Sequence, residues 1–131
     1  LTVYGEGGQT RGYLNLIDTL QCVRLAADNP PASSELKIYN QFTETFTVNQ
    51  LAELIQKVGS DLGLAVQIQS IQNPRKEMEE HYYNPTHSGL TDLGLQPHFM
   101  THEVVKNMII TLSNYKDRIS PEKIMPRVAW K

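Results

Sequence analysis

Residues 10–30 read TRGYLNLIDTLQCVRLAADNP, and the change of rhythm inside this stretch decides the fold class. Over residues 10–17 the residues alternate, with Tyr13, Asn15 and Ile17 on one side and Gly12, Leu14 and Leu16 on the other, the period-2 pattern of a strand. Asp18 with Gln21 three positions later has the form of a capping box. The spacing then predicts a helix to about Asp28, with Leu20, Val23 and Ala27 as its apolar stripe and Leu25 and Ala26 widening it. Asn29, Pro30 and Pro31 stop it, because proline lacks a donor and restricts the residue before it. In this reading Asp18 is a structural carboxylate, and Cys22, inside the apolar segment, is a small core residue rather than a nucleophile or metal ligand.

Outward from this stretch the same alternation of elements continues. Residues 35–40, ELKIYN, read as a strand built on Leu36, Ile38 and Tyr39, with QFTETF as the connection after it. Thr47 and Gln50 form a second capping box, opening a helix to about Val58 with Val48, Leu51, Ile55 and Val58 as its stripe and Gly59 at C′. A third strand is expected over residues 65–71. Strand, helix, strand, helix, strand is an α/β order, with a small sheet and flanking helices but too few strands for a full doubly wound domain. Before residue 10, LTVY is strand-like, and Gly5, Gly7 and Gly8 mark a turn in which positive φ costs little. GEGG is no dinucleotide loop, since a strand and not a helix follows it.

At 131 residues with 40% apolar content, the chain can hold one modest core, and a single domain or fragment over residues 1–131 is expected. Twelve Lys and Arg against fourteen Asp and Glu give a net charge of −2, which is no footprint for nucleic acid or an anionic membrane surface. No apolar run approaches the roughly 20 residues of a membrane span. One cysteine builds no disulfide framework, which fits a reducing compartment. The chain opens on Leu1 in a strand-like segment, and it reads as a piece of a longer polypeptide.

Residues 73–97, NPRKEMEEHYYNPTHSGLTDLGLQP, concentrate the remaining chemistry. Arg75 stands at the carboxyl end of the third expected strand, where open α/β folds place ligands. Its planar, permanently charged fork suits a phosphate-bearing ligand, and an internal ion pair with Glu79 competes with that role. Glu79, Glu80 and His81 look at first like acid/base candidates. Thr86 is a candidate cap for a short helix holding Leu90 and Leu93, ended by Gly94 with Leu95 folding back. Thr101 caps a longer helix with Val104, Val105, Met108, Ile109, Leu112 and Tyr115 as its face. Residues 116–131 form a draping tail through Ile119, Ile124, Met125, Val128 and Trp130. His81 and His87, or His98 and His102, bring neither HExxH nor paired cysteines, so no metal site is expected. GxSxG is missing as well.

Taken together, LTVYGEGGQTRGYLNLIDTLQCV, LKIYNQFTETFTVNQLAELI, NPRKEMEEHYYNPTHSGLTDLGLQP and KIMPRVAWK resemble the carboxyl-terminal part of the sulfolipid branch of a known family. That family is the extended short-chain dehydrogenase/reductases, the NAD-dependent nucleotide-sugar epimerases and dehydratases, and the branch is that of the UDP-sulfoquinovose synthases. The resemblance implies the substrate-binding part of a Rossmann-type enzyme whose NAD-binding core is largely absent from this chain. The parent would use NAD, UDP-glucose and sulfite, and this chain would work against an upstream Rossmann domain.

Carried over residue by residue, Arg11 and Arg75 would contact the UDP diphosphate. Val3 and Tyr4 would lie beside the uracil, Gln9 would approach the nucleotide, and Glu79 or Glu80 would reach the ribose. No GxxGxxG is present, and none of the six tyrosines is followed at the fourth position by lysine. No catalytic residue is therefore assigned, and the chain alone is expected to be inactive and to bind no cofactor. The resemblance also implies a cyanobacterial cytoplasm or chloroplast stroma, and a homodimer. The alternatives are a stand-alone domain that binds a sugar nucleotide or a protein partner without reaction, and part of another nucleotide-sugar epimerase or dehydratase.

Overall fold

The structure, a computed structural model, describes residues 1–73 and 87–124. Its elements run β1 (Thr2–Tyr4), β2 (Thr10–Tyr13), α1 (Leu16–Asp28), β3 (Glu44–Thr47), α2 (Val48–Asp61), β4 (Gln69–Ile71), α3 (Ser88–Asp92), α4 (His102–Ser113), a 3₁₀ turn (Lys116–Arg118) and α5 (Pro121–Ile124). Expected positions 74–86 and 125–131, including Arg75, Glu79, Glu80, His81, Thr86, Met125, Val128 and Trp130, lie outside the described residues. From β2 to β4 the order is the expected strand, helix, strand, helix, strand. The strands form two separate pairs, β1 with β4 and β2 with β3.

The described residues divide into two compact units. The first holds residues 1–9, 47–73 and 101–124. There β1 and β4 run parallel, with Thr2 opposite Gln69, Val3 opposite Ser70 and Tyr4 opposite Ile71. α2 packs against β1 and α4, and Val3, Ala52, Val58 and Val105 are buried. The α2 cap is as the sequence predicts. Thr47 Oγ1 accepts the Gln50 N–H at 3.1 Å, and Gln50 Oε1 accepts the Thr47 N–H at 2.8 Å.

The end of α2 is not where the sequence places it. Gly59 is a buried helical residue, and Gly63, at φ +75°, takes the left-handed position after the helix. A Cβ on Gly59 would stand 2.5 Å from Val66 Cγ2, so this glycine is there for close approach rather than for a turn. Of the expected strand over 65–71, only Gln69–Ile71 is paired. Thr101 caps α4 by accepting the Val104 N–H. Val105 is the buried residue of its apolar face, while Met108, Leu112 and Tyr115 are about half exposed.

The second unit holds residues 10–46 and 87–100. Its core is Cys22, Leu90 and Leu95, with Leu14, Leu25 and Tyr39 packed around them. Gly94, at φ +99°, ends α3. Its N–H donates to Thr91 O at 2.9 Å and the Leu95 N–H to Leu90 O at 3.0 Å, with Leu95 buried. This is the Schellman closure that the Gly94–Leu95 pair predicts.

Three expectations fail in this unit. Asn15, not Asp18, caps α1, its carboxamide oxygen accepting the Ile17 N–H at 3.2 Å, so the strand stops at Tyr13 and Ile17 belongs to the helix. The stripe of Leu20, Val23 and Ala27 faces solvent, and the buried positions of α1 are Asp18 and Cys22. No strand forms over residues 35–40. The Glu35 N–H donates to Ala32 O, the Glu35 carboxylate accepts the Ala32 N–H, and Leu36 and Ile38 are about four-fifths exposed. The strand lies instead in the presumed connection, at Glu44–Thr47, whose threonines and phenylalanine suit a pleated surface. There Phe46 meets Tyr13 edge to face at 5.9 Å.

Candidate functional site

In the first unit the carboxyl ends of parallel β1 and β4 lie side by side, and this is the edge at which α/β folds bind ligands. β1 brings Val3 and Tyr4 to that edge. Val3 is only 1% exposed, so its side chain belongs to the core, whereas Tyr4 is half-buried.

The chain then reverses through Gly5 and Gly7, at φ +67° and +71°. The Gly5 N–H donates to Ile71 O at 2.8 Å, closing the turn onto β4. Gly7 is buried against the Asn49 carboxamide and Val3 Cγ1. The start of α2 is stitched to the same turn, with Asn49 N–H to Gly7 O at 3.0 Å and Asn49 Nδ2 to Glu6 O at 2.7 Å.

These bonds settle what the glycine turn does. A phosphate cradle needs free backbone N–H groups at a helix start. Here the amides of Gly5, Asn49 and Gln50 already donate within the protein, and the segment leads into β2 rather than a helix. Of the glycines in this turn, Gly7 serves the close packing of β1 against α2.

Gln9, half-buried, ends this part of the first unit. Arg11 belongs to the second unit as the exposed second residue of β2, its Nη1 donating to Thr10 O at 3.1 Å. The structure thus gathers Val3, Tyr4 and Gln9 on one unit and sets Arg11 on the other. Arg75, Glu79 and Glu80 lie outside the described residues.

A polar cluster that the sequence reading missed sits at the centre of the second unit. Asp18 has no exposed surface. Its Oδ2 accepts the His98 N–H at 2.7 Å, and its Oδ1 meets His98 Nδ1 at 2.6 Å and Gln21 Nε2 at 2.8 Å. Gln21 also donates to Gln96 O at 3.2 Å. Close by in the fold, Glu44 accepts the Met100 N–H at 2.6 Å. The two carboxylates hold residues 96–100, which have no regular structure, to α1 and β3. Asp18 and His98 are 80 positions apart, beyond the reach of any local pattern. The one available signal was that Asp18 falls on the same helical face as Cys22.

Burial, and then the negative charge of Asp18, push the Cys22 thiol above its ordinary pKa, which suits an inert core thiol. Among the described residues no group of three His, Cys, Asp or Glu side chains is placed to hold a metal. His98 is bonded to Asp18, His102 to Asp61 at 2.8 Å, and His87 lies against Phe42.

No family model matches the chain. It is 50% identical over 131 residues to the chloroplastic UDP-sulfoquinovose synthase of Spinacia oleracea, matching all of this chain and 27% of that protein. It is 47% identical over 133 residues to a UDP-sulfoquinovose synthase of Sulfolobus acidocaldarius, of which it spans 34%. The chain therefore spans about a third of the length of these relatives.

Among solved structures, it resembles a dTDP-glucose 4,6-dehydratase from Streptomyces venezuelae with NAD and TYD bound. The TM-score is 0.68 at 17% identity, covering 92% of this chain and 36% of the other. It also resembles a UDP-N-acetylglucosamine 4-epimerase from Methanobrevibacter ruminantium M1 in complex with UDP-N-acetylmuramic acid, with TM-score 0.64 at 18% identity, covering 90% and 35%. Along all 131 residues, then, the chain is similar to a segment of the UDP-sulfoquinovose synthases of spinach and Sulfolobus acidocaldarius, and its fold is that of the matching part of the nucleotide-sugar dehydratase and epimerase structures.

Proposed function

We propose that this chain is the part of a UDP-sulfoquinovose synthase that grips UDP-glucose, in an enzyme that also uses NAD and sulfite. The observation that carries this reading is the near-half identity, over the whole chain, to two synthases of that name from a plant and an archaeon. The chain's own contribution is position and charge. Tyr4 and the extended backbone of β1 flank the uracil, Gln9 approaches the nucleotide, Arg11 and Arg75 hold the diphosphate, and Glu79 or Glu80 reaches the ribose. NAD supplies the redox chemistry when bound. The chloroplast stroma or a cyanobacterial cytoplasm fits this role. The spinach relative is named chloroplastic, and no helix among the described residues is long and apolar enough to cross a membrane.

Isothermal titration of this chain with UDP-glucose tests the assignment. A charge-assisted arginine–phosphate contact contributes about 1.5–3 kcal/mol, so Arg11→Ala and Arg75→Ala are each expected to weaken binding about 10-fold or more. Binding unchanged by both substitutions refutes the diphosphate roles. dTDP-glucose, titrated in parallel, is expected to bind more weakly.

A further inference from the structure

We infer that the face of the β2–β3 ribbon carrying Tyr13 and Phe46 receives the glucosyl ring of the nucleotide sugar. This rests on the functional reading above, in which the uracil, the ribose and the diphosphate each have residues and the sugar has none.

β2 and β3 form a two-stranded sheet, and successive side chains on each strand point to opposite faces. A Cβ on Gly12 would stand 2.7 Å from Phe42 Cγ, and Phe42 is buried, so the Gly12 face of the ribbon is closed by protein. Arg11 and Tyr13 therefore share the other face. Phe46 joins them there, because its ring meets that of Tyr13 at 5.9 Å between centroids, inclined by 63°. Arg11 is exposed, and both rings are half-buried. Neither ring belongs to the core of this unit, which is built on Cys22, Leu90 and Leu95 with Leu14, Leu25 and Tyr39 around them. Glu44, two positions before Phe46, borders the same face with its carboxylate engaged by the Met100 N–H at 2.6 Å.

One permanent cation beside two aromatic rings is the chemistry that recognises a glycosyl phosphate. The guanidinium takes the phosphate. The rings offer electron-rich faces to the polarised C–H groups of a sugar ring, and such faces discriminate by geometry as well as area. Residues two apart on a strand are separated by about 7 Å, and a hexose is joined to its phosphate through a single oxygen. A phosphate on Arg11 thus leaves the sugar beside Tyr13 and Phe46.

Isothermal titration of the 131-residue chain with UDP and with UDP-glucose tests this. Phe46→Leu keeps an apolar side chain and removes the ring. It is expected to weaken UDP-glucose binding about three- to tenfold and UDP binding less than about twofold, while Phe46→Tyr should match wild type for both ligands. A loss of folding would act on the two ligands alike, so the ratio reads the sugar contact. The second measurement needs no variant: in proton NMR of wild type with UDP-glucose, the C–H protons of the bound glucosyl ring should move upfield under the aromatic ring currents. Equal weakening of both ligands by Phe46→Leu, no weakening of either, or glucosyl protons left unshifted while UDP-glucose binds overturns the inference and leaves the nucleotide-gripping role standing. Wild type that binds neither ligand overturns that role, and the sugar contact with it.

Discussion

Gly7 and Gly8 are adjacent and chemically identical, yet the backbone asks different things of them. Gly7 holds φ +71° with Val3 Cγ1 2.8 Å from where a Cβ would stand, whereas nothing lies within 4 Å of that position on Gly8. Gly7→Ala is expected to destabilise the fold by about 2 kcal/mol or more. Gly8→Ala is expected to be neutral or to stabilise by about 0.5 kcal/mol through the unfolded chain. Urea denaturation of the two variants separates them. The need for positive φ at Gly7 was readable from its place in a glycine cluster; which glycine would be buried was not, because that depends on Asn49 some forty positions later.

Cys22 gives the residue scale its pH dependence. Its pKa is raised on folding, by burial first and by Asp18 second, so the folded state holds the thiol proton more tightly than the unfolded chain does. That contribution is fully present below the ordinary thiol range and is lost as pH climbs through the raised value. Urea midpoints of wild type should therefore fall more steeply above about pH 8.5 than those of Cys22→Ala.

Among the elements, α2 was the most legible. Its capping box and its stripe of Val48, Leu51, Ile55 and Val58 are local signals, and both hold in the fold. Its end was not legible, since a glycine near a helix terminus suggests a stop unless the residue above it is known. Gly59→Ala weighs the two effects. Helix propensity favours alanine by about 1 kcal/mol, but the new Cβ meets Val66 Cγ2 at 2.5 Å, and the contact outweighs the propensity. The single change should destabilise, and pairing it with Val66→Ala should recover part of the loss in a double-mutant cycle.

Strands were the least legible elements, because a strand needs a partner as well as a pattern. ELKIYN has the alternation and no ladder among the described residues, whereas ETFT is short and pairs with β2. The stripe of Leu20 and Val23 was a correct reading of apolarity and a wrong reading of what this unit buries.

On the scale of the whole molecule, the chain matches about a third of longer enzymes, and the function proposed for it is binding without turnover. The 131-residue chain, given UDP-glucose, NAD+ and sulfite, is expected to yield no UDP-sulfoquinovose by chromatography; product formation would falsify the assignment of catalysis to residues elsewhere. The α/β class was legible because strand and helix periods alternate. The division into two units was not, since each is assembled from segments far apart in sequence, such as residues 10–46 with 87–100.

The segment after α3 lacks helix or strand, yet its backbone is held at Leu95 by Leu90, at His98 by Asp18 and at Met100 by Glu44. A protease selects chain that can be drawn out into its cleft, and exposure alone does not provide that. Phe99, though 49% exposed, sits between two anchored amides and makes poor bait for an enzyme that cuts after aromatic residues.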